Sequence, residues 1–150
     1  MFRNLASSLF LSEREDDVDE SGFEYPDWSG HVPNRPKVKG RVITTLQKAK
    51  AVRPLVEKCI TIARRGLQHE AEAAQHGTDA ERGSDAWRKW RESDKYAKWQ
   101  AAMGPAVTLR RRCLQLLGNK QAVRILFESV APRFTERPGG YTRILRLADP

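Results

Sequence analysis

The sequence predicts an α+β fold, several helices packed on a small sheet of two or three strands, and two patterns carry that prediction. Apolar residues recur every three or four positions through residues 46–63, 106–117 and 122–130, the spacing that lines one face of a helix. Beside them stand two short extended stretches, the β-branched Arg41-Val42-Ile43-Thr44 and the alternating run from Tyr141 to Leu147. A chain of 150 residues has material for a single domain, 1–150, with one modest core.

In chain order, Phe2, Leu5, Ala6, Leu9 and Phe10 share one helical face, with Arg3, Asn4, Ser7 and Ser8 opposite. The stretch lacks the continuous apolar centre of a signal peptide and runs directly into acid, so it reads as an amphipathic helix. From Ser12 to Gly40 periodicity disappears, while three prolines and three glycines fall between Gly22 and Gly40. That is the composition of a long loop. Eight carboxylates stand against Arg14 alone between Ser12 and Trp28, so this part carries −7 and the rest of the chain +15 of the total +8.

The short strand at 41–44 closes at Thr45, which is placed to cap the most regular helix of the chain. Leu46, Ala49, Val52, Leu55, Val56, Cys59, Ile60 and Ala63 form its apolar stripe, and Pro54 predicts a kink or break near Ala51. Lys48, Lys50, Arg53, Lys58, Arg64 and Arg65 fall largely on the outer face, which either meets phosphates or is simply solvated. Helix is expected to about His76, then a loop through Gly77 and Gly83. His69 and His76 have no further ligands at metal-binding spacing, so no metal site is expected. Ser84 is placed to cap a helix carrying Trp87, Trp90, Tyr96 and Trp99 among five cations. On one continuous helix the first two rings lie opposite the last two. Either protein packs on both sides, or one pair stacks on bases. Gly104-Pro105 is expected to break that helix, and Gly118 to stop the next, which bears Arg110, Arg111 and Arg112. Asn119 is placed to cap a helix from Lys120 that ends at Pro132.

The last feature is a turn and strand. Pro138 sets up a turn at Gly139 and Gly140, where the backbone can take positive φ, and Tyr141, Arg143 and Leu145 then alternate with Thr142, Ile144 and Arg146. An arginine appears on each face of that strand. With a pI of about 9.9, the chain as a whole calls for an anionic partner, nucleic acid before a membrane surface. The acidic stretch is then expected to point away from RNA or to meet a basic protein neighbour. No apolar run is long enough to span a bilayer. Cys59 and Cys113 sit singly among aliphatic residues and read as buried thiols. There is no nucleophile elbow, phosphate loop or paired-histidine motif, so no catalytic residue, small-molecule substrate or cofactor is expected.

These residues also carry a resemblance. The opening Met1-Phe2-Arg3-Asn4-Leu5-Ala6-Ser7-Ser8-Leu9, then Thr44-Thr45-Leu46-Gln47-Lys48-Ala49-Lys50 with Arg53, Ile60-Thr61-Ile62-Ala63, and Pro132-Arg133-Phe134 with Arg137-Pro138-Gly139-Gly140-Tyr141-Thr142-Arg143-Ile144-Leu145 resemble the bacterial large-subunit ribosomal protein seventeen family. Four blocks occur in the family's order. The resemblance implies a compact α/β, non-enzymatic, cytoplasmic protein on the ribosome, near the outer end of the nascent-peptide tunnel. Its partners would be large-subunit ribosomal RNA and neighbouring ribosomal proteins. Relatives carry a basic segment upstream of the position of Met1 and a final strand beyond that of Pro150. Two stretches, about 12–39 and 68–104, exceed the family pattern and hold all four tryptophans. The residues expected on RNA are Arg3, Asn4, Lys48, Lys50, Arg53, Arg110, Arg111, Arg133, Arg137, Gly139, Gly140, Tyr141, Thr142, Arg143 and Arg146. The other reading is a helical protein-interaction module built on the Trp-rich insertion.

Overall fold

The computed structural model describes residues 1–13 and 38–147. The acidic stretch expected as a loop therefore lies outside the described residues, apart from its edges. Among the described residues every regular element is helical: α1 (Phe2–Leu11), α2 (Leu46–Ala74), α3 (Asp85–Glu92), α4 (Asp94–Leu117) and α5 (Lys120–Ile125). The chain leaves α5 through a π turn (Leu126–Val130) and a 3-10 turn (Ala131–Phe134).

The expected α+β architecture is overturned, because neither predicted strand enters a sheet. Residues 41–45 and 141–147 carry no strand pairing. They face each other across an open groove instead of bonding to each other. At the start of the second segment, moreover, the Tyr141 and Thr142 amides donate to a side chain, the Glu57 carboxylate, and are not free for a ladder.

The core forms where α2 and α4 run against each other. Cys59 meets Cys113, Gly66 lies beside Leu109, and Arg110 reaches Glu70, an order that makes the two helices antiparallel. Gly66 makes room for the π turn against α2: a Cβ there would come within 2.8 Å of the Phe127 ring. Val56, Cys59, Ile60 and Ala63 from α2 pack with Cys113 and Leu117 from α4 and with Val123, Leu126, Phe127 and Val130 beyond it. α1 closes one side with Ala6 and Phe10. Ser7, placed by periodicity on the polar face, is buried, and its hydroxyl donates to the Leu117 carbonyl at 3.0 Å. That bond consumes a carbonyl left open at the end of α4.

Several boundaries match the sequence. Ser84 accepts from the Trp87 amide and Asn119 from the Ala122 amide, each capping its helix, and Gly118 ends α4 in the left-handed region with φ +72°. Two proline predictions fail. α2 runs unbroken through Pro54 and α4 through Gly104-Pro105. Both prolines are exposed, so water can satisfy the carbonyl each would otherwise bond. The break falls at Ser93, whose extended backbone separates α3 from α4 while its hydroxyl donates to the Trp90 carbonyl at 2.6 Å. Nor does Pro132 stop the last helix; it sits within the 3-10 turn, where its missing amide costs little.

Candidate nucleic-acid interface

The C-terminal arm begins where the 3-10 turn gives out. The Arg137 amide donates to the Phe134 carbonyl at 3.0 Å and its Nε to the Gly139 carbonyl at 3.2 Å, so one arginine closes the turn from two sides. Of the two glycines, Gly140 takes the left-handed conformation, at φ +64°. The turn delivers Tyr141 against Phe134, ring centroids 5.1 Å apart, and under Arg64.

Two side chains of α2 hold the arm. Arg64 donates from Nη1 to the Tyr141 hydroxyl and from Nη2 to the Thr135 carbonyl, both at 2.9 Å. Two turns earlier on the helix, the Glu57 carboxylate accepts from the Tyr141 amide at 3.0 Å, the Thr142 amide at 2.8 Å and the Thr142 hydroxyl at 2.6 Å. Burial pushes the Glu57 carboxyl up, but these hydrogen bonds, helped by Arg53, outweigh it and hold the group below its ordinary value. Periodicity places Arg64 among outward cations and says nothing of Glu57. Both missed residues sit on the basic face, and only the path of the arm, distant in sequence, distinguishes them.

Held this way, residues 141–147 form one wall of the groove and residues 40–46 the other. Two adjoining clefts of about 350 and 550 Å³ open between them. Leu5, Leu9, Val52 and Val56 line the first, and Ile43, Leu46 and Leu147 the second. Arg41, Arg53 and Arg143 border the first, Arg41, Arg143 and Arg146 the second, and no carboxylate among the described residues lines either. The groove thus combines a cationic border with a wall of extended backbone, a shape suited to following a phosphate chain. Arg41 was absent from the residues expected on RNA. Its position at the start of a presumed strand hid it, and only the groove shows it facing Arg143.

The other expected residues scatter. Lys48 and Lys50 are exposed on α2 and flank the groove wall on opposite sides of the helix, roughly 200° apart. Arg3 and Asn4 are exposed on α1, and Arg111 on α4. Arg133 and Arg137 border a separate shallow cleft with Thr135, Glu136 and Pro138. Arg133 is already engaged there: Glu13 accepts from its Nη2 at 2.8 Å and strengthens the guanidinium's hold on its proton. Gly139, Gly140, Tyr141 and Thr142 shape and anchor the arm. Arg110 points into the helix pair, its guanidinium 4.5 Å from the Phe127 ring centroid and 3.2 Å from Glu70. Among the described residues no three His, Cys, Asp or Glu side chains are grouped as metal ligands, and no helix is long and apolar enough to cross a membrane.

The tryptophans of the second insertion are arranged by the elbow at Ser93. It folds Trp90 onto Tyr96 and Trp99, at centroid distances of 5.0 and 5.7 Å, and the Trp90 indole donates to the His76 carbonyl at 3.0 Å. Trp90 is thereby brought onto the two rings that one straight helix would hold on its opposite side, while Trp87 packs on no other ring among the described residues.

Comparison with known proteins relates the chain to a family. The family model described as Ribosomal protein L17 matches residues 38–150. The large ribosomal subunit protein bL17 of Rhodopirellula baltica is 53% identical over 150 residues, all of this chain and 65% of that protein. The bL17 of Exiguobacterium is 36% identical over 110 residues, 73% of this chain and 65% of that protein. The Thermomicrobium roseum bL17 is 29% identical over 147 residues, 98% of this chain and 69% of that protein. The chain thus spans about two thirds of the length of these relatives. No solved structure matches it.

Proposed function

Because the chain belongs to the ribosomal protein L17 family, we propose that it serves as a structural, non-enzymatic constituent of the large ribosomal subunit. Its partners on this reading are large-subunit ribosomal RNA and adjacent ribosomal proteins, and its place is the ribosome of the cytoplasm. The observation that carries the reading is the groove: Arg41, Arg53, Arg143 and Arg146 converge on it, and no carboxylate among the described residues lines it. Arg41, Arg143 and Arg146 have no carboxylate partner among the described residues, whereas Arg53 lies 3.9 Å from Glu57; cations without acidic neighbours suit phosphate contacts best, because each phosphate then exchanges condensed counterions for a protein charge. Arg3, Asn4, Lys48, Lys50 and Arg111 add outlying contacts. Arg137, Gly139, Gly140, Tyr141 and Thr142 set the course of the arm, and Arg133 and Arg110 act through the protein's own framework.

The test is the salt dependence of binding to large-subunit ribosomal RNA. Arg41, Arg143 and Arg146 line the groove without serving the framework, so replacing all three with alanine removes cations and leaves the fold in place. Affinity should fall, and the slope of log K against log salt should flatten by roughly two to three units, since each phosphate left unneutralised accounts for about 0.7 to 0.9. An unchanged slope would overturn the role given to the groove. Failure of the unaltered chain to sediment with large subunits at moderate salt would overturn the wider reading.

A further inference from the structure

The α3–α4 elbow borders an open cleft that the groove does not explain. It measures about 380 Å³, within the range of small-ligand sites, and Trp87, Trp90, Tyr96 and Trp99 line it together with Arg82 and Arg91. Gly77, Thr78 and Ala80 complete the wall, so the loop after α2 forms one side and the two helices the other. Asp79, Glu81, Asp85, Glu92 and Asp94 belong to the same stretch but do not line the cleft. Neither lining arginine is paired with a carboxylate among the described residues.

The rings are not equivalent. Trp90 is committed to the fold, packed edge-on against Tyr96 and Trp99 and bonded through its indole to His76. Trp87 packs on no other ring among the described residues; what covers it is the Arg91 guanidinium, 5.1 Å from its centroid and 5.9 Å from that of Tyr96. A planar π cation therefore already lies within cation–π range of two rings. Such a grouping accepts a further planar π system on a ring face, beside the guanidinium or in its place, and the unpaired arginines would take the charge attached to it.

We propose that this cleft holds an unpaired nucleobase of RNA, stacked on Trp87 and Arg91, with the adjoining phosphate at Arg82. The site is separate from the arginine groove, and the proposal rests on the ribosomal reading above for its source of RNA. A protein partner fits less well. Interfaces of that kind bury aliphatic as well as aromatic surface, and none of the exposed large apolar residues of the described chain lies between Gly77 and Met103. A base needs only ring faces and cations, which is what the cleft supplies.

The experiment titrates the full chain with a short unstructured oligoribonucleotide carrying one 2-aminopurine and reads quenching of the base fluorescence as it stacks. Indole NMR signals are followed in parallel. Quenching is expected, with the Trp87 indole signal moving and that of Trp90, held by His76, staying in place. Trp87→Leu should weaken binding roughly ten-fold, the scale of one base–aromatic stack, and Arg91→Gln should weaken it without removing a ring. Arg143→Ala with Arg146→Ala should leave the quenching in place while flattening the salt slope on ribosomal RNA. If the oligonucleotide neither quenches nor moves the Trp87 signal, the base site is refuted, and intact binding to ribosomal RNA would show that the ribosomal reading survives. Movement of the Trp87 signal with a purified neighbouring ribosomal protein, and not with oligonucleotide, would also refute it, in favour of a protein contact.

Discussion

The helix pair and the C-terminal arm are held by different physics. Among α2, α4 and the π turn the contact is mainly apolar and spread over many residues: Phe127 is 1% exposed, Leu126 fully buried, and Gly66 lets the Phe127 ring sit against α2. The arm, by contrast, is tied to α2 by two side chains, Glu57 and Arg64, through hydrogen bonds at a few points. Beyond Thr142 it is open, with Leu145 and Leu147 largely exposed. One region should respond to mutation as a whole and the other locally. The difference bears on function, because Arg143 and Arg146 stand on the locally held part while the framework stands on the other.

The largest effect should come from the framework. Phe127→Ala empties a buried site between α2 and α4 and removes the ring beneath Arg110. Truncating a buried phenylalanine to alanine costs about 3–5 kcal/mol, a large share of the stability of a domain this size. A single cooperative thermal transition, well below that of the parent and sensed equally by the arm and by the tryptophans, is expected. If the helix pair softened while the arm kept its protection, the two regions would not be coupled as described.

The same contrast explains what could be read in advance. The helix stripes were legible because burial repeats along α2, α4 and α5, and caps were legible because Ser84, Gly118 and Asn119 act within a few residues of themselves. The sheet was not. Residues 41–44 and 141–147 have the composition of strands, but pairing depends on which backbone groups are already taken, and Glu57 takes two of them from 84 and 85 positions away. The elbow was missed for a related reason. Proline at 105 is a stronger local signal than serine at 93, and only the packing of Trp90 on Tyr96 and Trp99 selects the latter. Of the arginines that line the groove, Arg53, Arg143 and Arg146 stand out in the sequence by their pattern, whereas the place of Arg41 and the internal roles of Arg64 and Arg110 required the tertiary arrangement.

A middle-sized effect should follow from Glu57→Gln. The amide keeps one oxygen for Thr142 but presents its NH₂ to the Tyr141 amide, donor against donor. A hydrogen bond to a charged group contributes about 1.5–3 kcal/mol, and Glu57, with its side chain about one fifth exposed, is only partly screened. The loss should appear in the arm alone. Faster tryptic cleavage after Arg143 and Arg146, with a melting temperature close to the parent's, is the outcome that sharpens the comparison; a fall in melting temperature matching that of Phe127→Ala would erase it.

Acid should loosen the arm by the smallest amount. The folded Glu57 carboxyl lies below its ordinary value of 4.5, so the folded state binds that proton less readily than the unfolded chain. Its contribution is complete above the unfolded value and is lost as pH falls through the folded one. Hydrogen exchange at the Tyr141 and Thr142 amides, corrected for its intrinsic pH dependence, should therefore be flat from neutrality to about pH 5 and rise below pH 4.5. The rise should be smaller than in Glu57→Gln, because a protonated carboxyl still presents an oxygen to both amides. The Gln variant should show no such step, and a step that persisted in it would assign the acid sensitivity to another carboxylate.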